Sequence, residues 1–196
     1  MITKKQLRAK RLFDVLLVIF LIPFLIVPII VLIVVATIDT KRYGVFTQKR
    51  VGQHGKLFKI YKIRTLKEGI HRLGHLDKSA TSFGKFLRKT KLDELPQLFN
   101  VLKGDMSFVG PRPDIQGFAD ELSDDDRIVL LVKPGVTGEA TLKYKDEEKV
   151  LERQKDPEHY NRTIIWVDKV KINKNYVMNY SFYLDLKLIF KSILNR

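Results

Sequence analysis

The sequence predicts a helix-rich α/β (α+β) protein of monotopic membrane type, with one re-entrant N-terminal hydrophobic helix and interfacial amphipathic helices. Three observations carry that expectation. Twenty-four residues from Val15 to Ile38 carry no charge, and as a helix they span about 36 Å, against a bilayer core of about 30 Å. Basic residues crowd both ends: Lys4, Lys5, Arg8, Lys10 and Arg11 before the run, Lys41, Arg42, Lys49 and Arg50 after it. Downstream, short alternating and amphipathic segments punctuated by glycine and proline indicate a mixed domain at 41–196, distinct from a membrane unit at 1–40.

By length alone the run suits a single crossing. The flanks argue otherwise, because Lys and Arg favour the cytoplasmic side and one crossing cannot keep both ends there. A helix bent near Pro28, entering and leaving by one face, satisfies both ends. Pro23 and Pro28 each remove an N–H donor and free the carbonyl four residues earlier. A single crossing stays as the competing topology. No small-residue cleavage site follows the run, which argues against a removable signal peptide.

The 196 residues include 45% hydrophobic side chains, enough for a core, and no cysteine. Disulfides, thiolate catalysis and cysteine-ligated zinc are therefore excluded. The formal net charge is +14, which implies a polyanionic partner. The excess is local: residues 41–91 carry a net +13, and residues 92–196 a net −2. Basic residues just beyond a membrane helix meet anionic lipid, at about 1 kcal/mol each.

Residues 44–64 alternate around the turn at Gly52–Gly55 and predict a strand hairpin. Residues 67–80 show no period and read as a mobile loop. Helices are expected at 82–90, with Phe83, Phe86 and Leu87 on one face, and at 93–103, with Leu95, Leu98, Phe99 and Leu102. Gly104 ends the second. A turn-rich stretch, GDMSFVGPRPD, follows, then a helix over 114–130, a turn at Lys133–Gly138 and a strand at Glu139–Tyr144. Residues 146–180 read as helical around Pro157. The tail places Phe182, Leu186, Ile189 and Ile193 on one face, suited to the protein surface or the membrane interface.

The sharpest chemical candidate is Asp93-Glu94. Capping competes with chemistry here, because Asp is a good N-cap and Pro96 suits a first helical turn. The surroundings favour chemistry: Lys85, Arg88, Lys89 and Lys91 lie upstream, and Arg112 sits between two prolines. Two carboxylates among fixed cations suit a magnesium–diphosphate site. Lys59, Lys62 and Arg64 alternate on the predicted strand, as substrate contacts or as a solvated, lipid-facing row. The four histidines have no metal-ligand spacing. Neither a P-loop nor a G-x-G-x-x-G fingerprint is present. No aromatic–basic ribonucleoprotein pattern occurs, so nucleic acid is not an expected partner.

The run KLDELPQLFNVLKGDMSFVGPRP at 91–113 closely resembles the signature of the bacterial sugar transferases, the small monotopic phosphoglycosyl transferases. Similar segments occur in family order at Lys10–Asp14, Phe46–Gly52, Phe58–Thr65, Lys133–Gly138 and Tyr180–Lys187, so the resemblance covers roughly residues 10–190. It implies transfer of phospho-sugar from a UDP-sugar to polyprenol phosphate (undecaprenyl phosphate), starting glycoconjugate synthesis at the cytoplasmic face of the bacterial inner membrane. It makes Asp93 the nucleophile of a covalent phosphosugar intermediate and Glu94 the partner that, with Asp93, holds Mg2+. Arg112 and Arg88 carry over as phosphate-binding groups, with Lys59 and Arg64 as further substrate-binding candidates. Two departures stand out. Val27 precedes Pro28 where family members often have serine, and the stretch after Gly138 lacks the usual Trp-Ala-Gln continuation. Anionic lipids and a second copy of the chain are further expected partners. The rival reading is a membrane-tethered basic scaffold that binds lipid or nucleic acid without catalysis.

Overall fold

The computed structural model describes residues 1–194 apart from 68, 70–72 and 75. Helix α1 (Lys4–Thr40) runs without interruption through Pro23 and Pro28. Thr3 and Gln6 form a capping box at its start. At its end Lys41 turns left-handed, and the Gly44 N–H donates to Thr37 Oγ1 at 2.9 Å. A Cβ on Gly44 would sit 2.1 Å from the Ile33 carbonyl oxygen, so this turn admits only glycine.

One stripe of α1, through Lys10, Asp14, Val18, Ile29, Ala36 and Thr40, is buried on the domain. The remainder is bare: Phe20 and Phe24 are 64% and 66% exposed. Only 11% of the most apolar stretch is buried, which separates it from the core helix of a soluble domain, and the helix is long and apolar enough to enter a membrane.

The predicted hairpin forms from β1 (Val45–Val51) and β2 (Leu57–Ile63), antiparallel with Gln48 opposite Ile60 and Lys49 opposite Lys59. Side chains alternate, so Phe58, Ile60 and Lys62 share one face and Lys59 and Tyr61 the other. The loop predicted at 67–80 lies partly outside the described residues. Its end is the short helix α2 (Leu76–Ser79), and Leu66 pairs with Ala80. Helix α3 (Ser82–Thr90) follows as predicted, capped by Thr81. After a tight 3-10 turn at Leu92–Glu94, α4 (Gln97–Lys103) begins four residues later than predicted. Asn100 ties α4 to β2, accepting from the Tyr61 N–H at 3.0 Å and donating to the Lys59 carbonyl at 2.7 Å.

Strand β3 (Ser107–Val109) pairs in parallel with β4 (Gly135–Thr137), each inside a stretch predicted as turn. Two predictions are corrected here. Residues 114–130 form no α-helix but two 3-10 segments, Ala119–Glu121 and Asp124–Leu131. Gly117 and Asp124 have positive φ, and the Asp120 carboxylate accepts from the Gly117 and Phe118 N–H groups, so side chain and backbone geometry both compete with the helix. Residues 139–143 are a helix, α5 (Glu139–Lys143), not a strand. Glu, Ala, Leu and Lys favour helix, and an acid in the first turn complements its dipole.

The polar C-terminal region comprises α6 (Glu147–Glu152), α7 (Pro157–Tyr160), a π-helical turn at Asn161–Ile165, α8 (Trp166–Met178) and α9 (Phe182–Leu194). Buried Asp185 binds α9 to its neighbours: it accepts from Lys10 at 2.5 Å, Tyr176 at 2.6 Å and Tyr180 at 3.1 Å. Phe182 meets Phe13 edge-on at 5.1 Å. Of the predicted apolar face, Phe182, Leu186 and Ile193 are exposed beside Tyr183 and Phe190, while Ile189 turns inward against the core.

The central core is the cluster of Val18, Ile29, Ile60, Leu98, Val101 and Met106, which joins α1, β2 and α4. Arg11 strengthens that joint by donating to the terminal carbonyls of α4, Val101 at 2.5 Å and Leu102 at 2.8 Å. Asp14 accepts from the Ser107 hydroxyl and the Phe108 N–H, fixing α1 to β3.

Candidate active site

Asp93 and Glu94 occupy the 3-10 turn between α3 and α4 and are 6% and 8% exposed. They cap neither helix. Pro96 is the N-cap of α4 and makes no side-chain bond there, and the Thr90 hydroxyl donates back to the Phe86 carbonyl. The capping alternative therefore falls. Lys91, at φ 57, provides the left-handed step that ends α3 and turns both carboxylates inward.

The two acids face opposite environments. Glu94 Oε1 accepts from Lys62 Nζ and Arg112 Nη2, each at 2.9 Å. Burial works against its charge, but Lys62 and Arg112 outweigh burial and hold the carboxyl well below the usual range. Asp93 Oδ1 is buried with no hydrogen-bond partner among the described residues. Burial pushes the Asp93 carboxyl up, and so does Glu94, against the pull of Lys62, Lys91 and Arg88. Gln97, one turn onward and 2% exposed, has an Nε2 that is also buried and without a partner among the described residues.

The site therefore gathers four of the predicted residues: Asp93, Glu94, Arg112 and, through its field on Asp93, Arg88. Lys59 and Arg64 are not among the groups that act on Asp93 or Glu94. Lys59 is exposed on the opposite face of β2 from Lys62. Arg64 donates to the Tyr43 carbonyl at 2.9 Å and stacks 5.7 Å from the Phe46 ring. The cation that completes the site is Lys62. The lysine row on β2 revealed that a charge would face the site, and register decided which one.

A second charged group lies behind Arg112. Asp114 is within the field of Lys169, Arg50 and Arg112, and burial pushes its carboxyl up to about 6 against their pull. Arg50 donates to the Pro113 carbonyl and Gln48 Oε1, and its Nε is buried without a partner among the described residues. Burial, then Arg112, push Arg50 down to about 10. Lys169 holds Glu147 at 2.7 and 2.8 Å. A small cavity of about 20 Å³, room for about one water, lies here, with Arg112, Asp114, Trp166 and Asn173 in its wall.

The donor set fits magnesium in part. Two adjacent carboxylates, one with an unbonded buried oxygen, offer the hard oxygens that Mg2+ takes alongside water and substrate phosphates. No group of three or more acidic or histidine side chains forms a metal cage among the described residues.

Comparison with known proteins identifies the family. The family described as bacterial sugar transferase matches residues 5–196. The chain is 37% identical to an uncharacterised sugar transferase, EpsL, of Bacillus subtilis (strain 168) over 183 residues, 92% of this chain and 83% of the relative. A protein of the same organism, described as a putative undecaprenyl-phosphate N-acetylgalactosaminyl 1-phosphate transferase, is 36% identical over 157 residues, 75% of this chain and 84% of its own. The UDP-glucose:undecaprenyl-phosphate glucose-1-phosphate transferase of Klebsiella pneumoniae is 37% identical over 199 residues, 94% of this chain but 39% of that longer protein. With an acidic pair, its two clamped cations and a family match over nearly its whole length, the chain belongs to the bacterial sugar transferases and is a transferase enzyme.

Proposed function

We propose that the chain transfers phospho-sugar from a UDP-sugar to undecaprenyl phosphate, giving undecaprenyl diphosphate sugar and UMP, through a covalent phosphosugar on Asp93. The named activities of the relatives support the overall reaction. One observation carries the choice of nucleophile: Asp93 keeps a buried, unbonded carboxylate oxygen, whereas Glu94 is fixed by Lys62 and Arg112. Neighbouring carboxylates in such different environments divide the roles.

In the first displacement an Asp93 oxygen bonds to the phosphorus bearing the sugar as that phosphorus parts from the UMP oxygen. An oxygen of undecaprenyl phosphate then attacks the same phosphorus, the Asp93–phosphorus bond breaks and the carboxylate returns. Arg112, held in place by Glu94, offers its remaining N–H groups to phosphate oxygens without reorganising. Arg88 and Lys91 add positive field where the donor's charge arrives. Magnesium, held by Asp93 and Glu94, would neutralise charge on the diphosphate and on departing UMP.

The acceptor is a lipid, and the anchor suits it. Val18 and Ile29, on opposite sides of both Pro23 and the preceding bond to Pro28, belong to one cluster with α4. Ile2 packs at one end of the domain and Ala36 against α3 at the other. Both ends of the apolar run thus rest on one body, which favours a re-entrant helix over a crossing. The bare stripes of α1 and α9 would lie in the inner-membrane interface at the cytoplasmic face, with the basic 41–91 segment on anionic lipid.

The test is UMP release by the purified, detergent-solubilised protein with magnesium, undecaprenyl phosphate and a panel of UDP-sugars, alongside Asp93→Asn. Release with one donor, lost in the variant, and labelled phosphosugar trapped on the wild-type chain are the expected results. Full turnover by Asp93→Asn would refute the nucleophile. Turnover without a trapped intermediate would favour direct attack by the lipid phosphate.

A further inference from the structure

We infer that Gln97 is a further catalytic residue, whose amide Nε2 donates a hydrogen bond to a non-bridging oxygen of the phosphoryl group while that group is carried on Asp93. This rests on the reaction proposed above and adds the side chain that grips the transferred group. Helix α4 buries two amides, and they are used differently. Asn100, with 0% exposure, is spent on the fold: it accepts from the Tyr61 N–H and donates to the Lys59 carbonyl. Gln97, 2% exposed, keeps a buried Nε2 without a partner among the described residues. Buried polar groups are nearly always hydrogen-bonded, because a donor left unpaired loses its hydration for nothing. An apolar side chain of the same shape would fill this space at lower free energy, so packing alone does not call for an amide here.

The position of Gln97 points to the acidic pair. Leu95 and Pro96 have helical φ of −53° and −62°, so the 3-10 turn at Leu92–Glu94 runs on into α4 as one right-handed coil. Gln97 follows Glu94 by three positions and Asp93 by four, spacings that put side chains beside one another with Cβ atoms roughly 6 Å apart. Asp93 Oδ1 is likewise buried and without a partner among the described residues. A donor and an acceptor on neighbouring side chains thus leave each other unbonded, while Glu94 Oε1 is taken by Lys62 and Arg112. In the free enzyme, therefore, Gln97 Nε2 steadies neither carboxylate.

An amide N–H has no lone pair for a metal, so its complement is an acceptor oxygen. Covalent transfer brings such oxygens to this turn. With phosphorus bonded to Asp93, the transferred group has two non-bridging oxygens that carry charge and accept hydrogen bonds, next to the side chain four positions on. Nε2 keeps its protons throughout. Because the same phosphorus is attacked in both displacements, one amide serves the loading of Asp93 and its discharge alike. A donor that the fold has already buried and stripped of water needs no reorganisation when charge builds on those oxygens in the transition state.

The experiment compares wild type, Gln97→Met and Gln97→Glu in detergent by UMP release with and without the lipid acceptor, by trapping of labelled phosphosugar, and by thermal unfolding. Met keeps the shape of Gln without the donor. Loss of one preorganised donor is expected to lower kcat about 10²- to 10³-fold in Gln97→Met, in the loading step and the discharge step alike. Donor KM should change little, and Tm should equal or exceed that of wild type because an unpaired buried donor is gone. Gln97→Glu, which sets an acceptor against the phosphoryl oxygens, should lose more. Wild-type kcat in Gln97→Met, or a Tm that falls together with activity as a structural glutamine requires, would overturn the inference alone. So would Gln97→Glu as active as Gln97→Met. Failure of the underlying reaction shows in wild type itself, as no turnover or no trapped phosphosugar. Beryllofluoride with magnesium, which forms a phosphoryl-like adduct on carboxylates, then decides this point by calorimetry. Binding weaker by roughly 2- to 10-fold in Gln97→Met supports the donor; equal binding, or none by wild type, overturns it.

Discussion

Replacing the two neighbouring acids by their amides should move stability in opposite directions. Glu94→Gln leaves Lys62 and Arg112, both bonded to Glu94 Oε1 at 2.9 Å, without their counter-charge. Removing one partner of a buried ion pair costs about 3–5 kcal/mol. The Arg112 side chain is 36% exposed and that of Lys62 19%, so water recovers part of the loss and about 2–3 kcal/mol is expected. Asp93→Asn removes a charge that burial already disfavours and that no hydrogen bond from the described residues supports on Oδ1. A gain of about 1 kcal/mol follows. For a chain of this size each kcal/mol shifts Tm by about 2–4 °C. Thermal unfolding in detergent at pH 7 should thus show Glu94→Gln lower by roughly 4–12 °C and Asp93→Asn higher by roughly 2–4 °C. The pH matters for the sign. The folded Glu94 carboxyl lies below its ordinary value of 4.5, so its contribution is complete above that value and lost as the pH falls through the folded one. Folded Asp93 lies above 3.8, so its penalty is present at high pH and relieved as the pH falls through the raised value. Shifts of the same sign for both variants at pH 7 would refute the division of roles.

Turnover should fall on acidification with a midpoint above the ordinary aspartate range, because burial raises the Asp93 carboxyl and the proposed nucleophile must be ionised; a pH profile of UMP release reads this directly. Lys62→Met should lower turnover far more than Lys59→Met, since of these two lysines it is Lys62 that bonds to Glu94; equal losses would contradict the register of the hairpin. Asp185→Asn should loosen α9 and cost about 3 kcal/mol, because buried Lys10 loses its charged partner; protease sensitivity near residue 181 would report it. Gly44→Ala should destabilise the chain, since its Cβ meets the Ile33 carbonyl oxygen at 2.1 Å, and unfolding midpoints would show that loss.

The hairpin, α3 and the acidic pair were legible because each depends on neighbours in sequence: alternation around Gly52–Gly55, a cap at Thr81, carboxylates among cations. Lys62 was not separable from Lys59. Phe58 and Ile60 define one face, but Ile63 is buried on the other parity, so the alternation leaves the inward face open until α4 and α1 pack on it. Strands β3 and β4 are three residues each and pair across 28 positions, a contact with no local signature. The same holds for Arg50, Asp114 and Lys169, brought together by three distant segments. Glu139–Tyr144 alternates polar and apolar side chains as a strand would, but Glu139, Ala140 and Leu142 favour helix, and α5 forms there.

The attachment of α1 along the domain has a consequence for bilayer mechanics. A spanning helix must match its apolar length to the full hydrocarbon thickness, and it tilts or deforms lipid when it does not. A re-entrant α1 of the kind proposed, pinned at Arg11 to α4, at Asp14 to β3 and at Thr37 to Gly44, would touch one leaflet at a depth fixed by protein contacts. Acyl-chain length should then have little grip on this enzyme, while headgroup spacing and lateral pressure set how far α1 sinks. Because Arg11 holds the helix that follows Asp93, the height of the Asp93 carboxylate above the acyl chains would then be a property of the fold, set before any lipid substrate arrives.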